Sequence, residues 1–112
     1  MPNINFNDQS AVQLKGADRA IVASANALLS DNGAIINANS SSAIVITILQ
    51  DSAMPASWGA DSALLAYQAG AGVVSFAAGT GVTLNAGPSV PSAAQYGILG
   101  ALRVAANTWV TI

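Results

Sequence analysis

A chain of 112 residues fits one domain around one hydrophobic core, and its 53% hydrophobic against 7% charged residues departs from ordinary soluble domains, which carry about a quarter charged. Three cations, Lys15, Arg19 and Arg103, with a net charge of -2, cannot neutralise a phosphate track, so nucleic acid is excluded as a partner. Without histidine, cysteine or glutamate, the usual nucleophilic triads, Cys/His dyads, disulfides and zinc sites are unavailable; no enzyme activity, cofactor or metal is expected.

Residues 1–20 hold two of the three cations, are rich in Asn, Asp and Gln, and carry only scattered apolar residues. That composition suits an arm laid over a partner rather than a core element. Ile4, Phe6 and Leu14 are its expected apolar anchors, with Lys15 and Arg19 pairing to acidic groups of the partner. The start lacks the basic and apolar regions of a secretory signal and reads as a mature terminus. Residues 18–29 fit an Asp18-capped helix or a strand, with strand preferred.

From residue 33 the text becomes short β-branched runs punctuated by turn residues. Asp31-Asn32-Gly33 is a turn leading into a strand over 34–39, and Asn39-Ser40-Ser41-Ser42 is a second turn rather than a glycan acceptor. Over 43–49, Ile44, Ile46 and Ile48 share one face while Val45 and Leu49 share the other. Both faces are apolar, so this strand is expected to be buried on both sides, within the core or at an oligomer interface. It is also the longest apolar run, far short of the roughly 18 residues that a membrane helix needs.

Further strands are expected over 64–68, 73–78 and 82–85, with the glycines of 70–72 and 79–81 in the turns between them. A proline-containing loop over 86–94 precedes a final hairpin, 95–105 and 108–112, turning at Ala106-Asn107. On its first strand Ile98, Leu102 and Val104 face one way and Arg103 the other. Short strands at even spacing predict an all-β fold: a compact sandwich or barrel of short antiparallel strands over 21–112, with an extended N-terminal arm.

The chemistry that remains is sparse. Asp51 and Asp61 could pair as glycosidase carboxylates, but two loop aspartates flanking the Pro55 to Gly59 turn is the favoured reading. Gly70-Ala71-Gly72 and Gly79-Thr80-Gly81 each lack the third glycine of a dinucleotide fingerprint, and no Walker lysine follows them. Trp109 is expected in the core or an oligomer interface, with Ile44, Ile46 and Ile48. Trp58, in a loop, fits simple packing and contact with a partner equally well. So little charge offers little resistance to self-association, so an oligomer or a chain docked on something larger is expected.

The order Asn39-Ser40-Ser41-Ser42, the Ala43 to Ile48 run, Pro55 to Gly59, the Leu64 to Leu84 stretch, Gln95-Tyr96-Gly97 and Asn107-Thr108-Trp109-Val110 resembles a β-domain of tailed-bacteriophage virion proteins. The resemblance covers about residues 30–112, is most specific over 68–84 and 107–110, and extends both to tail-fibre modules and to small capsid decoration, or cement, proteins. Read as a complete chain, the protein looks more like a decoration protein. That resemblance implies a homotrimer on the capsid surface of the virion, bound to the major capsid protein, with no catalytic residues. The alternative it leaves open is a tail-fibre or receptor-binding module, in which Trp58, Tyr67 and Tyr96 would stack on cell-surface carbohydrate.

Overall fold

Runs of β-branched and aromatic residues become strands because their side chains pack well on a pleated surface. The computed structural model describes residues 18–86 and 94–112; Ile4, Phe6, Leu14 and Lys15 of the expected arm lie outside them. In chain order the strands are β1 (Arg19–Ile21), β2 (Ala25–Asn26), β3 (Ile35–Ala38), β4 (Ile44–Ile48), β5 (Ala63–Gln68), β6 (Val74–Ala78), β7 (Thr83–Asn85), β8 (Ile98–Ala105) and β9 (Thr108–Thr111). Helix is limited, among the described residues, to two single 3-10 turns, Leu29–Asp31 and Asp51–Ala53. The fold is all-β.

Pairing direction corrects the expectation of antiparallel strands. One sheet, sheet A, runs β1-β3-β5-β8-β9-β7 and the other, sheet B, β2-β4-β6. β1, β3 and β5 are mutually parallel, as are β2, β4 and β6; only β5 with β8 and β8 with β9 are antiparallel. The physical reason is the path. From β1 to β6 the chain alternates between the sheets, so each strand meets its neighbour one full circuit later, entering from the same side. β3 and β4 recur as β5 and β6 at a constant offset of thirty residues, Ile35 beside Leu65 in sheet A and Ile44 beside Val74 in sheet B.

The corners between the sheets stack in the same register. Ala69 N–H donates to the Ala38 carbonyl (2.8 Å), Gly72 N–H to the Ser40 carbonyl (2.8 Å) and Ile44 N–H to the Val73 carbonyl (2.9 Å), so these backbone groups are satisfied from coil to coil. Gly70 and Gly72 are there because the corner below leaves no room. A β-carbon on Gly70 would land on the Ser40 backbone and one on Gly72 on the Ser42 carbonyl, well inside contact distance. The glycine-rich stretch is corner chemistry, not a ligand loop.

One core lies between the sheets. Ile36, Leu64 and Ala66 of sheet A and Ile44, Ile46, Ile48, Val74 and Phe76 of sheet B are buried in it, joined by Trp58 and Trp109. Each such Ile or Leu contributes about 1.5–3 kcal/mol relative to exposure. β4 departs from the two-sided burial expected of it: Ile44, Ile46 and Ile48 face the core, while Val45 is exposed and Thr47 half-buried. Among the described strands none packs over the outer face of sheet B, and alternation turns Val45 and Thr47 toward that side.

The N-terminal boundary shifts as well. The limit expected at residue 20 falls inside β1, and Arg19, expected on the arm, is held within the fold. Its Nε and Nη2 donate to the buried Asp31 carboxylate at 3.2 and 2.9 Å, and Nη2 also reaches the Asn26 carbonyl. Asp31 Oδ2 further accepts from Leu28 N–H at 2.8 Å. A buried carboxylate without these partners would be costly. Arg19 therefore answers to Asp31, not to an outside acid.

Candidate functional site

Of the residues singled out in the sequence, Ile44, Ile46, Ile48 and Trp109 all point into the core. Trp58 joins them, 3% exposed, which removes it from the candidate partner contacts. Its ring meets that of Trp109 edge-on, centroids 5.2 Å apart at 83°, and its Nε1–H donates to the Leu49 carbonyl at 3.3 Å. The T-shaped pair is the favoured aromatic geometry. Of the two readings that the sequence left equal for Trp58, packing is the one observed: the indole closes over Trp109, with Met54 of the same segment also packed against the core.

The carboxylates do not form a catalytic pair. Asp51 Oδ2 takes a bond from Arg103 Nη2 at 3.0 Å, in a largely buried ion pair, and Asp51 N–H donates to Asn107 Oδ1 at 2.7 Å. Arg103 N–H donates to the Ser62 carbonyl at 2.8 Å. Asp61 stands outside this joint, exposed on a turn with φ of 60°. Asp51 thus neutralises the arginine that β8 turns inward and ties the Asp51–Ala53 turn to the hairpin. No group of three or more potential metal ligands occurs among the described residues. No helix among them is long and apolar enough to cross a membrane.

Charge is spent inside the molecule. Arg19 pairs with Asp31 and Arg103 with Asp51, while Asp18 Oδ1 accepts from Ile35 N–H at 3.1 Å. Apart from the exposed Asp18 and Asp61, what the described part of the molecule shows to solvent is therefore mostly amide, hydroxyl and hydrocarbon.

Two surface features stand out against that background. The first is the outer face of sheet A. As the sequence alternation requires, Ile98, Leu102 and Val104 share a face and Arg103 takes the other, but the apolar three point outward and Arg103 inward. They are joined there by Tyr67 of β5 opposite Ile98, Leu65 of β5 opposite Gly100, Val110 of β9 opposite Leu102, and Ile112, whose backbone bonds Gly100; Val104 lies in the irregularity between Arg103 and Ala105. Gly100 lies at the centre of the face with Leu65 and Ile112 side chains against it; an added β-carbon would sit 3.1 and 2.9 Å from them.

The second feature is Tyr96, 68% exposed and held at φ of 73°. Its N–H donates to the Gln68 carbonyl, Gln68 N–H donates back to the Gly97 carbonyl at 2.9 Å, and Gln95 Nε2 donates to the Ala69 carbonyl at 2.7 Å. These bonds hold an aromatic residue in the left-handed region, at a cost of about 1–3 kcal/mol. The ring lies 6.4 Å from that of Tyr67, tilted by 30°. Tyr96→Gly removes this strain along with the ring pair, so the thermal midpoint is expected to stay level or rise, read by circular dichroism. A fall of several degrees would mean that the Tyr67–Tyr96 contact outweighs the strain.

Neither the outward direction of β8 nor the conformation of Tyr96 was signalled in the sequence. The available cue was Asp51, a carboxylate able to draw Arg103 and its whole face inward. Comparison with protein-family models, curated proteins and solved structures gives no match for this chain.

Proposed function

We propose that this protein is a non-enzymatic structural component of a tailed-bacteriophage virion: a capsid decoration, or cement, protein. It binds the outer head surface and stabilises contacts between major capsid protein subunits. The observation that carries this reading is the internal pairing of the arginines of the described region, which leaves a protein surface suited to broad apolar and amide contact rather than to recognition of ions or charged substrates. In this role the two sheets form a rigid, sandwich-like body, copies of which stand as a homotrimer, and residues 1–17 form the docking arm. The threefold number comes from the resemblance of residues 30–112 to virion β-domains.

Because Arg19–Ile21 is strand β1, the arm is tested by a truncation beginning at Asp18 rather than beyond β1. That protein is expected to keep the far-ultraviolet spectrum and oligomeric state of the full chain and to lose binding to undecorated heads. Equal binding by the two proteins would move docking from residues 1–17 to the β-domain.

The Tyr67–Tyr96 pair favours a second reading, a tail-fibre or receptor-binding module, because an exposed aromatic platform suits the apolar face of a sugar ring. A glycan array probed with the purified protein separates the two: selective binding lost in Tyr96→Gly would favour the receptor module.

A further inference from the structure

We infer that the outer face of sheet A is the surface through which copies of this chain associate, with Ile98 and Val104, toward opposite ends of β8, as its most exposed aliphatic side chains. The inference rests on the structural reading above and gives its self-association a location. Leu65, Ile98, Leu102, Val104, Val110 and Ile112 form an apolar face free of charged side chains, with Leu102 paired to Val110, Leu65 to Gly100, and Val104 in the irregularity between Arg103 and Ala105. Ile98, Val104 and Ile112 are 64%, 56% and 49% exposed. With the neighbouring Tyr67 and Tyr96, the apolar area laid open is on the order of 600 Å², at the upper end for the largest patch on a monomer and close to the ~800 Å² that each partner gives to a stable interface.

The other sheet supplies an internal comparison. The outward residues of β4 and β6 are Val45, Thr47, Ser75 and Ala77, one exposed valine among small or hydroxylated side chains, as expected for a face that meets water. The same chain thus builds a solvated sheet face and an apolar one. The apolar one is also low in relief: Gly100 has no side chain to raise its centre, and Leu65 and Ile112 lie against it.

The occupant is a second copy for an electrostatic reason. A foreign partner steered here by electrostatics would need a complementary charge, and no side chain of this face offers one. Its lack of charge equally means that a copy meets no repulsion. Arg103, the cation of the same strand, is turned inward onto Asp51 and does not interrupt the face. Ile98 and Val104, the most exposed aliphatic side chains of the face, flank Gly100 toward the two ends of β8, where their burial by a partner would remove the most apolar area from water.

The test is sedimentation velocity on the full chain across a concentration series, comparing wild type with Ile98→Lys/Val104→Lys and with Val45→Lys on the opposite sheet. Wild type and Val45→Lys are expected to associate alike. The double variant is expected to dissociate at least about a hundredfold more readily, since like charges then meet across the contact. Both side chains are more than half exposed, so the protomer keeps its far-ultraviolet spectrum. Should the lysines disturb folding, Ile98→Thr/Val104→Thr preserves the β-branched shape and is expected to weaken association in the same direction. A monomeric wild type, unchanged association in the variants, or equal dissociation by Val45→Lys overturns the inference. Because no capsid enters the assay, such a result leaves head binding standing, whereas a face-dependent oligomer absent from heads would count against the decoration reading alone.

Discussion

Trp109→Ala is expected to lower the unfolding free energy by about 3–5 kcal/mol, the range for truncating a large buried aromatic. The indole is fully buried at the meeting of three elements. It stands on β9 beside Leu84 of β7 and opposite Arg103 of β8, and its ring receives Trp58 from the loop after the Asp51–Ala53 turn. Removal leaves a cavity that rigid, hydrogen-bonded strands on both sides cannot collapse to fill, and it strips Trp58 of its edge-to-face partner. A domain of this size has roughly 5–15 kcal/mol in total, so the variant is expected to unfold at much lower urea concentration. Trp109→Phe is a milder change: it keeps most of the volume and removes an indole Nε1–H that has no acceptor among the described residues. A urea midpoint unmoved by Trp109→Ala would place the ring outside the core.

Gly72→Ala is the second large effect, and it acts on the backbone rather than on a side-chain cavity. The added methyl meets the Ser42 carbonyl and, at 2.9 Å, the Ser40 carbonyl, both backbone atoms of the coil beneath. Backbone cannot swing aside as a side-chain tip can. Relief requires parting the two corners, which breaks the Gly72 to Ser40 hydrogen bond and loosens the adjoining ends of β4 and β6. The expected loss is about 3 kcal/mol or more, at or above the upper range for overpacking. Gly59→Ala is the control: a β-carbon there meets nothing nearer than Ser62 Oγ at 3.8 Å, so stability is expected to hold within about 0.5 kcal/mol. Comparable midpoints for the two variants, measured by urea denaturation, would contradict the stacked-coil geometry.

Strand positions were legible because β-branched runs and turn residues alternate along the chain. The hairpin at Ala106-Asn107 appears where the sequence placed it, with Asn107 at φ of 51°. Pairing direction was not legible from local pattern, since Ile44, Ile46 and Ile48 alternate identically beside a parallel or an antiparallel neighbour. The readable cue lay at longer range. Residues 37–44 and 67–74 share no identical residue at their thirty-residue offset, but both place a run of small residues at the corner, Asn39-Ser40-Ser41-Ser42 and Ala69-Gly70-Ala71-Gly72. Such a period is the mark of stacked coils. Trp58 and Arg103 were ambiguous for a related reason: their partners, Trp109 and Asp51, are 51 and 52 residues away in sequence. No sequence pattern announced Tyr96, whose left-handed backbone would ordinarily call for glycine or asparagine.

The decoration role is tested most directly by imaging intact virions labelled with an antibody against this chain. The account predicts label distributed over the outer surface of the head, reproduced when purified protein is added back to undecorated heads. Label confined to tail fibres, or virions without label, would contradict it.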